Sequence, residues 1–285
     1  MIADSRLHTL REIALTLRQD VITMLLTAGS GHSAGPLGMA DVFATLYFHV
    51  ANVYPENPQH PERDRIVLSN AHIAPILYAA LARRGFFPVS ELATLRKLDT
   101  RLQGHSTPTH GLPGIETSGG PLGQGTSQAV GMAVALRMKQ SHSRVYCMTG
   151  DGELNEGQCW EAFMLAYKLR LSNLTFCIDR NHIQIDGPTE VVMPLEPLAD
   201  KLRAFGLAVC ECNGHDIPEI ISTFERAKEN ADRPTAIIFH TIPGKGVSFM
   251  ESDFHWHGIP PNAEQAQRAL SELRTLQNQI TSEHA

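Results

Sequence analysis

Residues 144–187 read RVYCMTGDGELNEGQCWEAFMLAYKLRLSNLTFCIDRNHIQIDG and hold a strand, a tight turn, a helix and a second strand in that order. The runs 144–149 and 173–179 are short, apolar and bounded by polar turns, whereas 156–169 repeats its apolar residues at helical spacing. Strands that are apolar throughout belong to a parallel sheet covered on both faces by helices. Outward from this unit the alternation continues: helix 197–205, strand 207–212, helix 217–230, strand 235–241. The expected fold class is α/β, a doubly wound, mostly parallel sheet flanked by helices. Ligands of such sheets sit outside the carboxyl ends of the strands, at the switch point.

Upstream, Leu7, Leu10, Ile13, Leu17, Val21 and Met24 give residues 5–28 a helical period that Gly29-Ser30-Gly31 ends. A helix over 37–50, a strand over 65–68 and a helix over 75–84 follow, and Ser90 fits an N-cap for a helix ELATLRKL. Residues 100–125 are rich in Gly, Pro and Thr, and a stretch of that length in a compact domain is usually functional or disordered. Its glycines favour function, since they bring backbone amides close to a ligand. A helix over 126–140 comes next, and a final one over about 262–281 carries Leu270, Leu273, Leu276 and Ile280 on one side. With no repeat, low-complexity segment or linker, residues 1–285 read as a single domain.

The composition, 42% hydrophobic and 19% charged, is that of a globular protein with a real core. A net charge of −6 gives no footprint for nucleic acid or for an anionic membrane. No apolar run approaches the roughly 20 residues that span a bilayer. The charged N-terminus lacks the apolar core of a signal peptide, and the five cysteines read as small buried hydrophobes, so the protein is expected to be cytoplasmic.

Strand 144–149 runs straight into Gly150-Asp151-Gly152-Glu153, and the next strand into Asn181-His182-Ile183, with Asn181 30 positions after Asp151. A strand–helix–strand unit brings both ends to one edge of the sheet. The Asp151 carboxylate, the Asn181 carbonyl and a backbone carbonyl at Ile183 are hard oxygen donors suited to Mg2+, with Ca2+ or Mn2+ as substitutes. Two diphosphate oxygens and a water complete an octahedron. Gly152 lets the diphosphate approach the backbone, and a helix starting near Asn155 offers its N-terminal amides. An acidic protein can thus hold a diphosphate through a metal. Together these residues resemble the thiamine diphosphate motif.

Further motifs resemble one family within that class, the transketolases. Ser30-Gly31-His32-Ser33-Ala34-Gly35-Pro36-Leu37-Gly38-Met39-Ala40-Asp41 is similar to its first signature, Leu68-Ser69-Asn70-Ala71-His72 to its second, and Gly104-His105 to its third. Gly114-Ile115-Glu116-Thr117-Ser118-Gly119-Gly120-Pro121-Leu122-Gly123-Gln124-Gly125 is nearly the family's G-V-E-T-T-T-G-P-L-G-Q-G. Ile183-Gln184-Ile185-Asp186-Gly187 and His257-Gly258 resemble its last two motifs. The matches run in order from about residue 10 to 262.

Of 14 histidines, His32, His72, His105 and His257 fall on these motifs; the rest, His182 and His215 among them, read as structural or exposed. The resemblance implies that His32 and His105 meet sugar hydroxyls beside the reacting carbonyl. It places His72 near the cofactor and His257 against both diphosphate and substrate. Imidazoles suit such a site because they hydrogen-bond hydroxyls and shuttle protons near neutral pH. Gly120, Pro121 and Leu122 are implied to pack against the cofactor. Glu156 is counted with the cofactor-binding residues, read either as the family's subunit-interface carboxylate or as an ordinary first-turn helix Glu. The second signature departs from the family's N-G-H-G-S by reading N-A-H-I-A, and His182 stands where the family has a glycine.

In this family the carboxylate that activates the cofactor's aminopyrimidine ring belongs to a later, pyrimidine-binding domain. No segment here resembles it. The resemblance therefore implies the N-terminal subunit of a split transketolase, transferring a two-carbon ketol unit from a ketose phosphate to an aldose acceptor. Its partner would carry the pyrimidine-binding and C-terminal domains in an α2β2 assembly. An unusual donor, such as a branched pentulose phosphate or a sulfosugar, stays open. Rival readings are the α subunit of a 2-oxo acid dehydrogenase, a deoxyxylulose-phosphate synthase relative, and a non-catalytic cofactor-binding module. The first lacks a polyol that four histidines could serve.

Overall fold

The computed structural model describes residues 3–282, and the polar Glu283-His284-Ala285 ending lies outside them. Helices α1 (Asp4–Ala28), α2 (Ala34–Gly38) and α3 (Ala40–Thr45) lead through a π turn at Leu46–Val50 to strand β1 (Arg65–Leu68). Then come α4 (Ala74–Arg84), α5 (Gln124–Met138), β2 (Val145–Gly150), α6 (Gly157–Lys168) and β3 (Leu174–Arg180). A two-residue hairpin, β4 (Ile183–Gln184) with β5 (Gly187–Pro188), leads to α7 (Thr189–Val192) and α8 (Leu198–Ala204). Strand β6 (Ala208–Asn213), α9 (Ile217–Glu229), β7 (Thr235–His240) and α10 (Ala263–Ser282) complete the order.

The main sheet is five-stranded and parallel, in the order β1-β2-β3-β7-β6. Side chains alternate between its faces, as the strand period of 2 demands. Ile66, Leu68, Tyr146, Met148, Cys177, Ile237 and Phe239 enter one core with α1, α3, α4, α9 and α10. Val67, Val145, Cys147, Phe176, Ile178 and Ile238 enter the other, under α5, α6 and α8. Crossovers of fixed right hand explain this division. The chain steps one way from β1 to β3, entering β2 and β3 from α5 and α6 on one face, then returns from β6 to β7 through α9 on the opposite face. Connections leaving β3 and β7 therefore part to opposite faces, which opens a crevice at the carboxyl edge between them.

Two expected helices differ. Residues 37–50 divide into α2, α3 and the π turn. In place of an α-helix ELATLRKL there is a 3-10 helix at Val89–Thr94, ended by Arg96 in the left-handed conformation at φ 58°. Leu92 and Leu95 are buried beneath it, a spacing of three that 3-10 geometry places on one side. All five cysteines are free, and Cys147, Cys159, Cys177 and Cys212 are buried. Among the described residues no helix is long and apolar enough to cross a membrane.

Candidate functional site

Chain segments leaving β1, β2 and β3, the glycine-rich stretch, the loop after α1 and the segment beyond β7 converge at the carboxyl edge. Between them lies a cavity of about 290 Å³ lined by His32, His72, His105, Gly120, Leu122, Asp151, Gly152, Asn181, Ile183 and His257, among others. Each named motif contributes. The rings of His32, His72 and His257 form a triangle with centroid separations of 5.2, 5.6 and 5.0 Å. His105 faces the same cavity beside Gly120. Two expected residues do not line it: Pro121 and Glu156 are exposed. Glu156 is the residue before α6, with extended backbone angles, and not a member of its first turn. The segment at Asn155 is likewise a 3-10 turn, Gly152–Asn155, so α6 opens two residues later than expected.

Hydrogen bonds hold the histidine-bearing loops at a common level. Ser33 Oγ donates to the Ile259 carbonyl at 2.6 Å, and the Gly244 N–H to the Ala34 carbonyl at 2.8 Å. His215 Nε2 accepts the Ile242 N–H at 2.8 Å, which places its proton on Nδ1, 2.9 Å from Asp41 Oδ2. Its structural reading holds. Sequence reasoning missed Glu153, which is buried and ties three loops together. Its carboxylate accepts from Ser69 Oγ, from the Gly123 N–H at 2.7 Å and from the Gly150 N–H at 3.0 Å. The glycine-rich stretch is drawn so close to β1 that a Cβ on Gly125 would lie 2.6 Å from Ser69 Cα.

Asp151 is 1% exposed. Its Oδ1 accepts only the Gly152 N–H, at 2.7 Å. Oδ2 accepts from Arg180 Nη1 at 2.8 Å, the His182 N–H at 2.8 Å and Thr189 Oγ1 at 3.3 Å. His182, left-handed at φ 64°, thus contributes its backbone and not its ring to the turn. Asn181 Oδ1 accepts the Ile183 N–H at 3.0 Å, and its amide donates to Asp179 Oδ2 at 2.8 Å. Opposite Ile183 in the hairpin stands Pro188, which has no N–H to offer its carbonyl. Asp151 Oδ1, Asn181 Oδ1 and the Ile183 carbonyl therefore keep lone pairs for a hard cation, a donor set that fits Mg2+. Among the described residues no three or more His, Cys, Asp or Glu are arranged to hold a metal. Further oxygens must come from a ligand and water.

Burial controls the ionisation of the site. It pushes His32 down to about 4, with His257, Arg96 and His105 adding to the effect. It also depresses His72 strongly and lowers His105 and His257. Imidazoles so shifted are neutral near pH 7, with an N–H to donate and a lone pair to accept. Asp179 moves oppositely, up to about 7, because burial and then neighbouring Asp151 disfavour its charge. Nδ1 of His32, Nδ1 of His257 and both amide atoms of Asn70 are buried without partners. Buried polar atoms are rarely left so unless a ligand or water meets them.

Residues 9–277 match the family model described as transketolase, thiamine diphosphate binding domain. The chain belongs to the transketolase family. It is 43% identical over 264 residues to the 6-deoxy-6-sulfo-D-fructose transketolase subunit SqwG of Clostridium sp. (strain MSTE9), covering 93% of this chain and 96% of that one. Identity to one of the subunits of the apulose-4-phosphate transketolase of Phocaeicola vulgatus is 40%, covering 90% of each chain. Human transketolase is 36% identical over 94% of this chain, which spans 42% of that protein. Among solved structures, Campylobacter jejuni transketolase superposes with a TM-score of 0.83 at 31% identity, covering 96% of this chain and 48% of that one. The chain thus spans about half the length of the solved transketolases that it matches, and is a thiamine diphosphate-binding transketolase subunit.

Proposed function

We propose that this chain is the metal- and diphosphate-holding half of a two-chain transketolase that moves a two-carbon ketol unit from a ketose phosphate to an aldose acceptor. One observation carries the reading: three histidine rings within 5.6 Å of one another share a cavity with the Asp151–Asn181 turn. Asp151, Asn181 and the Ile183 carbonyl hold Mg2+, and Gly152, Gly120, Leu122 and His72 seat the cofactor. When bound, thiamine diphosphate supplies the nucleophilic carbon and the electron sink for carbon–carbon cleavage. His32 and His105, kept neutral by burial, orient the sugar hydroxyls and exchange protons with them. His257, its ring 5.6 Å from that of His32, serves both the diphosphate and the sugar.

A relative acting on a sulfofructose and others acting on apulose 4-phosphate support a ketose donor that ends in an anionic group. Relatives named as subunits support a second polypeptide, which supplies the carboxylate that activates the aminopyrimidine ring. Exposed Glu156 and Pro121 belong to the face that meets it, and an α2β2 assembly in the cytoplasm is the form we infer. Purified alone, the chain should show no ketol transfer at any cofactor concentration. Co-expressed with the chain carrying the pyrimidine-binding domain, it should turn over. Robust turnover by this chain by itself would overturn the two-chain reading.

A further inference from the structure

Arg180 is a cation buried beside the metal turn, 1% exposed, and the reading above gives it no role. Its Nη1 donates to Asp151 Oδ2 at 2.8 Å, and Nη2 donates to Glu190 Oε1 at 2.7 Å and to Glu196 Oε1 at 2.8 Å. Those carboxylates are themselves fixed. Glu190 accepts the Leu195 N–H at 3.1 Å, and Glu196 the Leu198 N–H at 2.8 Å. The guanidinium is therefore locked in place against the one charged residue of the metal's donor set.

The charges then decide which ligand the turn welcomes. Asp151 and Arg180 cancel, and the Asn181 and Ile183 oxygens are neutral. Glu190 and Glu196 have side chains 38% and 54% exposed, so water screens their charge. A divalent cation arriving alone finds its one charged ligand already paired with a guanidinium, and the other buried carboxylate of the cavity, Glu153, is turned onto Ser69, Gly123 and Gly150. A diphosphate arriving alone meets a fixed positive charge, worth more at a buried site than in water. We propose that Arg180 is a permanent countercharge for the diphosphate, which makes the turn refuse a free divalent cation and accept it in the company of the cofactor. This rests on the metal reading of Asp151 and Asn181.

The test is calorimetry on the full chain with Mn2+ alone, with thiamine diphosphate in EDTA, and with both. Arg180→Met should bind Mn2+ alone at least about tenfold more tightly than the natural chain, about 1.4 kcal/mol. It should bind metal-free thiamine diphosphate at least about tenfold more weakly. The opposed signs separate this role from simple packing, which would weaken both. Arg180→Lys, which keeps the charge but not the fork of donors, should move both affinities less than Arg180→Met does. If Arg180→Met does not fold, Arg180→Gln, which keeps hydrogen-bond donors but not the charge, should shift both affinities in the same directions as expected of Arg180→Met. Two affinities that fall together, or that do not move, overturn the proposal. If Mn2+ fails to strengthen cofactor binding in the natural chain and Asp151→Ala changes nothing, the metal reading itself has failed.

Discussion

A methyl group at position 119 would lie 2.2 Å from Cβ of Ala71, against the roughly 3.5–4.0 Å at which two carbons attract. Neither side can give way by rotating. Ala71 has no rotamers and is fully buried in a 3-10 turn, with its N–H on the Ser69 carbonyl at 2.8 Å. The Gly119 N–H is pinned to the Ser106 carbonyl at 2.8 Å. Relief requires a backbone shift of more than an ångström, so Gly119→Ala should cost about 2–3 kcal/mol, the upper range for overpacking. Ala71→Gly alone removes one buried methyl, about 0.8 kcal/mol, and adds about 0.5–1 kcal/mol of backbone entropy. Independent effects would sum to about 3–5 kcal/mol, but the double variant loses the 2.2 Å clash, keeps only a close contact of 3.3 Å to the Leu68 carbonyl, and should lose only about 1–2 kcal/mol. Urea unfolding at constant slope measures all four proteins. Additivity within about 0.5 kcal/mol would refute the reasoning. The family pattern carries glycine at the position of Ala71 and threonine at that of Gly119, so this chain has exchanged the large and small members of a touching pair.

Three further outcomes are expected. Asp151→Ala should weaken thiamine diphosphate binding in Mg2+ by roughly 10²–10³-fold, several kcal/mol, and unchanged affinity would remove the site. His32→Ala or His105→Ala should lower kcat/KM of the assembled enzyme by roughly 10²–10⁴-fold while the cofactor still binds; near-normal turnover would return that histidine to a structural role. Because burial holds His32 at about 4, the unfolded chain binds more protons between its ordinary value of 6.5 and that point, and stability must fall as pH drops through this window. Asp179, raised from 3.8 to about 7, contributes the opposite slope, so the comparison to make is His32→Asn against the natural chain. The variant should flatten the acid-side loss, and identical slopes would contradict the neutral-imidazole site.

Features with local causes were legible in the sequence. The β2–turn–β3 unit could be read because fully apolar strands and Gly150-Asp151-Gly152 are contiguous, and His32, His72, His105 and His257 because each lies in an ordered motif. What escaped depends on distant partners. Arg180 looks like a polar strand end until Glu190 and Glu196, 10 and 16 residues later, fold back over it. Glu153 sits inside a quoted motif, yet its work is set by Ser69 and Gly123, 84 and 30 residues before it. The Ser90 segment has good helix formers, but burial of Leu92 and Leu95 together with the left-handed Arg96 overrides their propensity.

The insertion of β7 between β3 and β6 also sets a timetable for synthesis. Among the strands, β6 pairs only with β7, so residues 208–213 emerge before their neighbour exists. At about 5–20 residues per second the wait lasts on the order of seconds, during which an unpaired strand can recruit a foreign one. Residue Glu211, exposed in the middle of AVCECN, is the kind of charge that discourages such pairing, and in the finished sheet its carboxylate turns to His240 of β7 and Arg203 of α8. A nascent chain arrested before Thr235 should therefore depend on that carboxylate to stay dispersed.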